Sequence, residues 1–174
     1  MFVKAIFLTG FMGTGKTTIG KALADKLKLP VYDIDEFIAE KTGKQVKTIF
    51  KEQGEGVFRD LETKSLQMLP LKDVVITTGG GLPVRTENRK YMMENGTVVF
   101  LHTDLDVIFE RLKQDENRPL ALHASKDELT ELFLSRKTAY EDCSFMINTT
   151  GKSINEITEE IIGRLEKQDT GYTE

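Results

Sequence analysis

Gly10-Phe11-Met12-Gly13-Thr14-Gly15-Lys16-Thr17 separates an apolar run, Phe2–Leu8, from an amphipathic stretch, Thr18–Leu27. A glycine, four residues and then Gly-Lys-Thr, placed between a strand and a helix, is a phosphate-binding loop. The reason is geometric. Glycine lets the backbone turn sharply and approach an anion with no Cβ in the way. The loop amides and the helix N-terminus then aim partial positive charge at one point. In such a loop Lys16 bridges the β- and γ-phosphates, and the Thr17 hydroxyl ligates Mg²⁺. The pattern predicts a nucleoside-triphosphate-binding protein.

Further short apolar runs follow at Val31–Ile34, Val74–Thr78, Thr97–Leu101 and Phe145–Asn148. With the first they make five strands, several rich in β-branched residues, as in strands buried on both faces. Helical patterns lie between them. Ile19, Ala22, Leu23 and Leu27 share a face, as do Leu129, Leu132 and Phe133, and Ile154, Ile157, Ile161 and Leu165. Ser153 and Glu156 form a capping box for the last of these helices. Alternation of this kind predicts an α/β fold with a parallel sheet and a ligand site beyond the carboxyl ends of the strands.

Two segments break the alternation. Residues 34–69 are helical in character, interrupted at Gly43 and Gly54–Gly56, and suggest a substrate-binding insertion. Residues 113–126 are polar around Asn117-Arg118-Pro119 and suggest a lid. The length fits one domain spanning 1–174. A net charge of −4, with no basic block, argues against nucleic acid as a partner. The single cysteine, Cys143, forms no internal disulfide and fits a reducing compartment. No apolar stretch reaches membrane-spanning length, and Met1–Leu8 lacks the charged leader and cleavage site of a signal peptide. The expectation is a soluble cytoplasmic protein.

Several residues are candidates for chemistry. Asp33 and Asp35 share a face if the second strand continues that far, and close carboxylates suit Mg²⁺ support or a hold on a reacting hydroxyl. Equally, Asp35 caps the helix that follows. Gly79-Gly80-Gly81 either offers amides to a ligand or makes a flexible turn. Arg59 and Glu62 either pair on a helix surface or position a guanidinium for a substrate carboxylate. Arg136 by itself reads as a solvated charge, and Arg118 as an arginine finger or an exposed residue before proline. His102 and His123 have no ligand-spaced partners, so no metal role is assigned to them.

Taken in order, the loop at Gly10–Thr17, Asp33-x-Asp35, Phe58-Arg59-x-x-Glu62, Gly79–Gly81, Arg118-Pro119-Leu120 and Arg136 resemble the shikimate kinase family over nearly the whole chain. The resemblance implies a P-loop kinase fold: a five-stranded parallel sheet in order 2-3-1-4-5, flanked by helices, with a helical substrate-binding region and a lid. It implies transfer of the γ-phosphoryl group of ATP to the 3-hydroxyl of shikimate, on the route to chorismate and the aromatic amino acids, by a monomer. The implied catalytic set is Asp35, Lys16 and Arg118. Gly13, Thr14, Gly15, Lys16, Thr17, Thr18, Arg111 and Arg118 bind ATP, with Arg111 against the adenine. Asp35, Arg59, Gly80, Gly81 and Arg136 bind shikimate, Glu62 holds Arg59 in place, and Thr17 and Asp33 support Mg²⁺. One departure stands out. Family members often carry an arginine shortly after the last strand, beside the adenine, where this chain has Asn148-Thr149-Thr150-Gly151-Lys152. The competing readings are a related small-molecule kinase, such as a gluconate kinase, and a non-catalytic nucleotide-binding module of the same fold.

Overall fold

The computed structural model describes residues 4–113 and 125–169. Five parallel strands form one sheet in the order β2-β3-β1-β4-β5: β1 Ala5–Thr9, β2 Val31–Asp33, β3 Val75–Thr77, β4 Gly96–His102 and β5 Phe145–Asn148. Seven α-helices accompany it: α1 Lys16–Leu27, α2 Ile34–Thr42, α3 Val46–Met68, α4 Thr86–Asn95, α5 Leu105–Lys113, α6 Lys126–Glu141 and α7 Ile154–Asp169. A short 3₁₀ turn, Leu82–Val84, follows β3.

Period-2 alternation along β1 distributes the core. Ala5 and Phe7 join a cluster with Ile34, Ile38, Ile49 and Phe58 from α2 and α3. Ile6 and Leu8 point the other way, into a cluster with Ile19 and Leu23 of α1 and Ile157 and Ile161 of α7. A third cluster joins Phe11 and Phe100 to Ile108 of α5 and Phe133 and Tyr140 of α6. Every β1 residue is buried, as a strand covered by helices on both faces requires.

Register decides where the site forms. Leu8 pairs with Thr77, and Thr77 with Asp33, so β1, β3 and β2 end along one line at their carboxyl edge. The phosphate loop, the glycine triplet and α2 all leave the sheet from that line.

The helical segment expected over 34–69 is two helices. α2 ends at Gly43, in the left-handed region at φ 66, and α3 is broken at Gly54, with φ 84 and ψ 170. The capping box at Ser153 is present, with Glu156 accepting from the Ser153 N–H at 2.8 Å and the Ser153 hydroxyl accepting from the Glu156 N–H at 3.3 Å. A second box, Ser125 with Glu128, opens α6 and was not expected. The expected lid lies largely outside the described residues. Among those described, no helix is long and apolar enough to cross a membrane.

Leu8 is fully buried, whereas Met146 on the edge strand β5 is 48 % exposed. Leu8→Ala is expected to cost about 2–5 kcal/mol in urea unfolding, and Met146→Ala no more than about 0.5 kcal/mol.

Candidate active site

The loop between β1 and α1 turns through Gly10, Gly13 and Gly15, at φ 146, 78 and 87. Side chains other than glycine rarely adopt these angles. Gly15 is the residue before α1, so Lys16 and Thr17 occupy its first turn. The Lys16 ammonium lies inside the loop and donates to the carbonyls of Gly10 at 2.9 Å and Phe11 at 2.8 Å. Thr14 donates to the Phe11 carbonyl at 2.9 Å, which stiffens the turn. Arg111, reaching over from α5, donates to the Gly13 carbonyl at 3.1 Å. Beside the loop is a cleft of about 300 Å³, lined in part by Gly13, Gly15, Thr18, Arg111, Thr149 and Lys152. The segment after β5 therefore does supply a wall. Lys152 stands on it, paired with Glu160 at 2.5 Å.

Asp33 ends β2, and its carboxylate accepts four hydrogen bonds. Oδ2 takes the hydroxyls of Thr17 at 2.8 Å and Thr77 at 2.7 Å. Oδ1 takes the N–H groups of Asp35 at 3.0 Å and Glu36 at 3.3 Å. Asp33 is thus the N-cap of α2. This revises the expectation for the pair: the strand stops at Asp33, the cap is Asp33 and not Asp35, and Asp35 projects from the first helical turn. The two carboxylates divide between a hydroxyl-rich pocket at the phosphate loop and the side of the sheet covered by α2 and α3. Thr17 and Asp33 present hard oxygens next to the loop, the donor type Mg²⁺ takes when phosphates and water complete its shell. Among the described residues no group of three or more His, Cys, Asp or Glu is placed to hold a metal by itself.

The glycine triplet is tightly covered. A Cβ on Gly81 would run into the guanidinium of Arg59, and one on Gly79 would lie 2.6 Å from Glu62 Oε1 and 3.0 Å from Asp35 Oδ1. Close approach, more than freedom to turn, is what demands glycine here. Arg59 Nη1 donates to Glu62 Oε2 at 2.6 Å, and its planar group lies 5.5 Å from the ring centre of Phe58 and 5.9 Å from that of Phe50. Glu62 is wholly buried. Burial pushes its pKa up to about 7, against the pull of the Arg59 charge, and neighbouring Asp35 adds to the rise. Oε1 has no hydrogen-bond partner. A proton held there leaves Oε2 to accept from Arg59.

Tyr140 is the residue that the sequence did not mark. It is fully buried, and its hydroxyl donates to the Gly80 carbonyl at 2.6 Å. Burial raises its pKa to about 12, opposed by Arg136, which also hydrogen-bonds to it. The neutral phenol therefore ties the second glycine to Arg136. Asp35, Arg59, Gly80, Gly81 and Arg136 accordingly gather around one strand end. Arg118 and His123 lie outside the described residues. His102, at the end of β4, is 3.9 Å from Asp104 and packs on Phe100 and Phe133.

Two variants probe this arrangement. The proton on buried Glu62 favours the folded state fully below pH 4.5, and that contribution fades as pH rises through 7. Between those limits wild type should lose on the order of 3 kcal/mol more stability than Glu62→Gln, read by urea unfolding across pH. Tyr140→Phe strands the Gly80 carbonyl and should cost about 1–3 kcal/mol in the same measurement.

Comparison with known proteins gives a concordant result. Residues 12–166 match the family model described as shikimate kinase. The chain is 48 % identical to shikimate kinase from Bacillus cereus (strain G9842) over 159 residues, 91 % of this chain and 96 % of that protein. Among solved structures it is similar to shikimate kinase from Acinetobacter baumannii in complex with shikimate, with a TM-score of 0.89, 34 % identity and coverage of 95 % and 94 %. It is also similar to shikimate kinase from Bacteroides thetaiotaomicron, with a TM-score of 0.87, 36 % identity and coverage of 95 % and 99 %. With the family model spanning most of its length, the chain belongs to the shikimate kinase family.

Proposed function

We propose that this protein transfers the γ-phosphoryl group of ATP to the 3-hydroxyl of shikimate, giving shikimate 3-phosphate. The observation that carries the reading is the convergence of Asp35, Arg59 and the glycine triplet beside the phosphate loop, on strand ends aligned by register. Arg136, through Tyr140, joins the same strand end. An acceptor that carries both a carboxylate and hydroxyls suits a site where guanidinium groups and a carboxylate stand close together, which supports this reading.

In this reading the triphosphate occupies the loop, where the backbone amides and Lys16 neutralise its charge. Thr17 and Asp33 would hold Mg²⁺, which would supply further neutralisation of the phosphate charge. Thr18 and Arg111 border the cleft that takes the nucleoside. Arg59 and Arg136 grip the shikimate carboxylate, and Gly80 and Gly81 contact the ring. Asp35 accepts a hydrogen bond from the 3-hydroxyl and points it at the terminal phosphorus. The new O–P bond forms as the bond to the β-phosphate oxygen breaks, and the hydroxyl proton passes to Asp35. A loose transition state leaves that proton in place until late, so Asp35 mainly orients. Arg118 contributes charge at the transferring group, a role taken from the resemblance alone.

ADP release measured with shikimate, gluconate and other hydroxy acids tests the reading. Turnover should require shikimate. Selective turnover of gluconate, or tight ATP binding with no turnover on any acceptor, would replace it with one of the competing readings. Asp35→Asn should lower kcat by roughly 10²–10⁴-fold, and Lys16→Ala and Arg118→Ala should also act mainly on kcat. Arg59→Ala and Arg136→Ala should instead raise the KM for shikimate by roughly 10–100-fold, the equivalent of about 1.5–3 kcal/mol for a charged hydrogen bond.

A further inference from the structure

Arg59 is engaged by two carboxylates of its own chain, and they differ in kind. Glu62, fully buried, takes Nη1. Glu55, with 63 % of its side chain exposed, takes Nε at 3.2 Å and Nη2 at 2.8 Å, both with the same oxygen. A guanidinium offers five N–H groups, and the Nε/Nη2 edge is one of those that seat a carboxylate through two parallel bonds. The inner partner is sequestered in the core and the outer one is in solvent, so Glu55 covers the edge of Arg59 that a ligand from solution reaches first. The Arg59 side chain itself is only 15 % exposed, and that edge is already filled by a carboxylate.

The backbone around Glu55 suits a group that must leave. Gly54 stands at φ 84, which breaks α3 immediately before Glu55. Gly56 follows immediately after it, inside the helix at a conformation that needs no glycine. A Cβ at either glycine would meet nothing within 4 Å, so crowding requires neither. Glycine in a helix without a steric reason lowers local helix stability. Glu55 is therefore carried on a weakened turn, with most of its side chain in solvent.

We propose that Glu55 is a tethered stand-in for the acceptor's carboxylate: it occupies the outer edge of Arg59 until the acceptor arrives, then swings away on the Gly54–Gly56 bracket. The inference rests on Arg59 as the carboxylate-binding residue. Two carboxylates compete for one guanidinium edge, so the chain sets its own affinity for the acid. Glu55 keeps Arg59 correctly aimed while the site is empty, and the acceptor must displace it to bind. Glu55 touches neither the phosphates nor the reacting hydroxyl, so the effect belongs to binding and not to the chemical step.

Steady-state kinetics with shikimate as the varied substrate tests this on wild type, Glu55→Gln, Gly56→Ala and the double variant. Glu55→Gln should lower the KM for shikimate about 3–10-fold, with kcat and the KM for ATP within about twofold. Gly56→Ala should raise the KM for shikimate when Glu55 is present and leave it unchanged in the Glu55→Gln background. An ordinary helix ion pair would not show that dependence. An unchanged or raised KM in Glu55→Gln overturns the proposal while leaving the functional reading intact. Wild type that fails to phosphorylate shikimate overturns the functional reading and this inference with it.

Discussion

A single carboxylate links the two halves of this site. Asp33 accepts the Thr17 hydroxyl from the phosphate loop, the Thr77 hydroxyl from the neighbouring strand and two backbone N–H groups from the start of α2. Four hydrogen bonds to one side chain fix the distance between the nucleotide end of the molecule and the helices that carry Asp35 and Arg59. The arrangement depends on register. Asp33 sits opposite Thr77 in the sheet, and Thr77 faces α1, where a Cβ on Gly20 would collide with its methyl group. A slip of one residue would turn Asp33 to the other face and uncouple the halves.

On the far side of the sheet a second set of contacts repeats this economy. Arg59 lies flat against Gly81, with Phe50 and Phe58 nearby and Glu62 beneath it. Tyr140 reaches from α6 to hold the Gly80 carbonyl and to meet Arg136. Glu62 and Tyr140, both buried, thus anchor the guanidinium groups assigned to the acceptor, whatever Glu55 does on the outer edge of Arg59. Glu62 sits in the core beside a cation, yet burial outweighs the attraction and pushes its pKa up.

Much of this was legible in the chain. The phosphate loop, the five strands and the amphipathic faces of α1, α6 and α7 follow from the glycine-lysine spacing, the short β-branched runs and the helical period. The division of labour between Asp33 and Asp35 was not legible, because it turns on where period 2 gives way to period 3.6. That change falls between them, at Ile34. Tyr140 was hidden for another reason: an aromatic on the apolar stripe of a helix looks the same whether its hydroxyl is idle or bonded to Gly80. Glu55 resembled any surface acid four residues before an arginine. Only its position on the outer edge of Arg59, between two glycines that nothing crowds, separates it from the others.

In the proposed reaction one site would present the terminal phosphate of ATP to a hydroxyl held by Asp35, while Arg59 and Arg136 would hold the same molecule by its carboxylate. The most direct test is a crystal structure with ADP and shikimate bound together. The acid's carboxylate is expected on the two guanidinium groups, its 3-hydroxyl within hydrogen-bond distance of Asp35, and Glu55 displaced from Arg59. Shikimate bound elsewhere, or bound with its ring reversed so that the carboxylate faces Asp35, would contradict it.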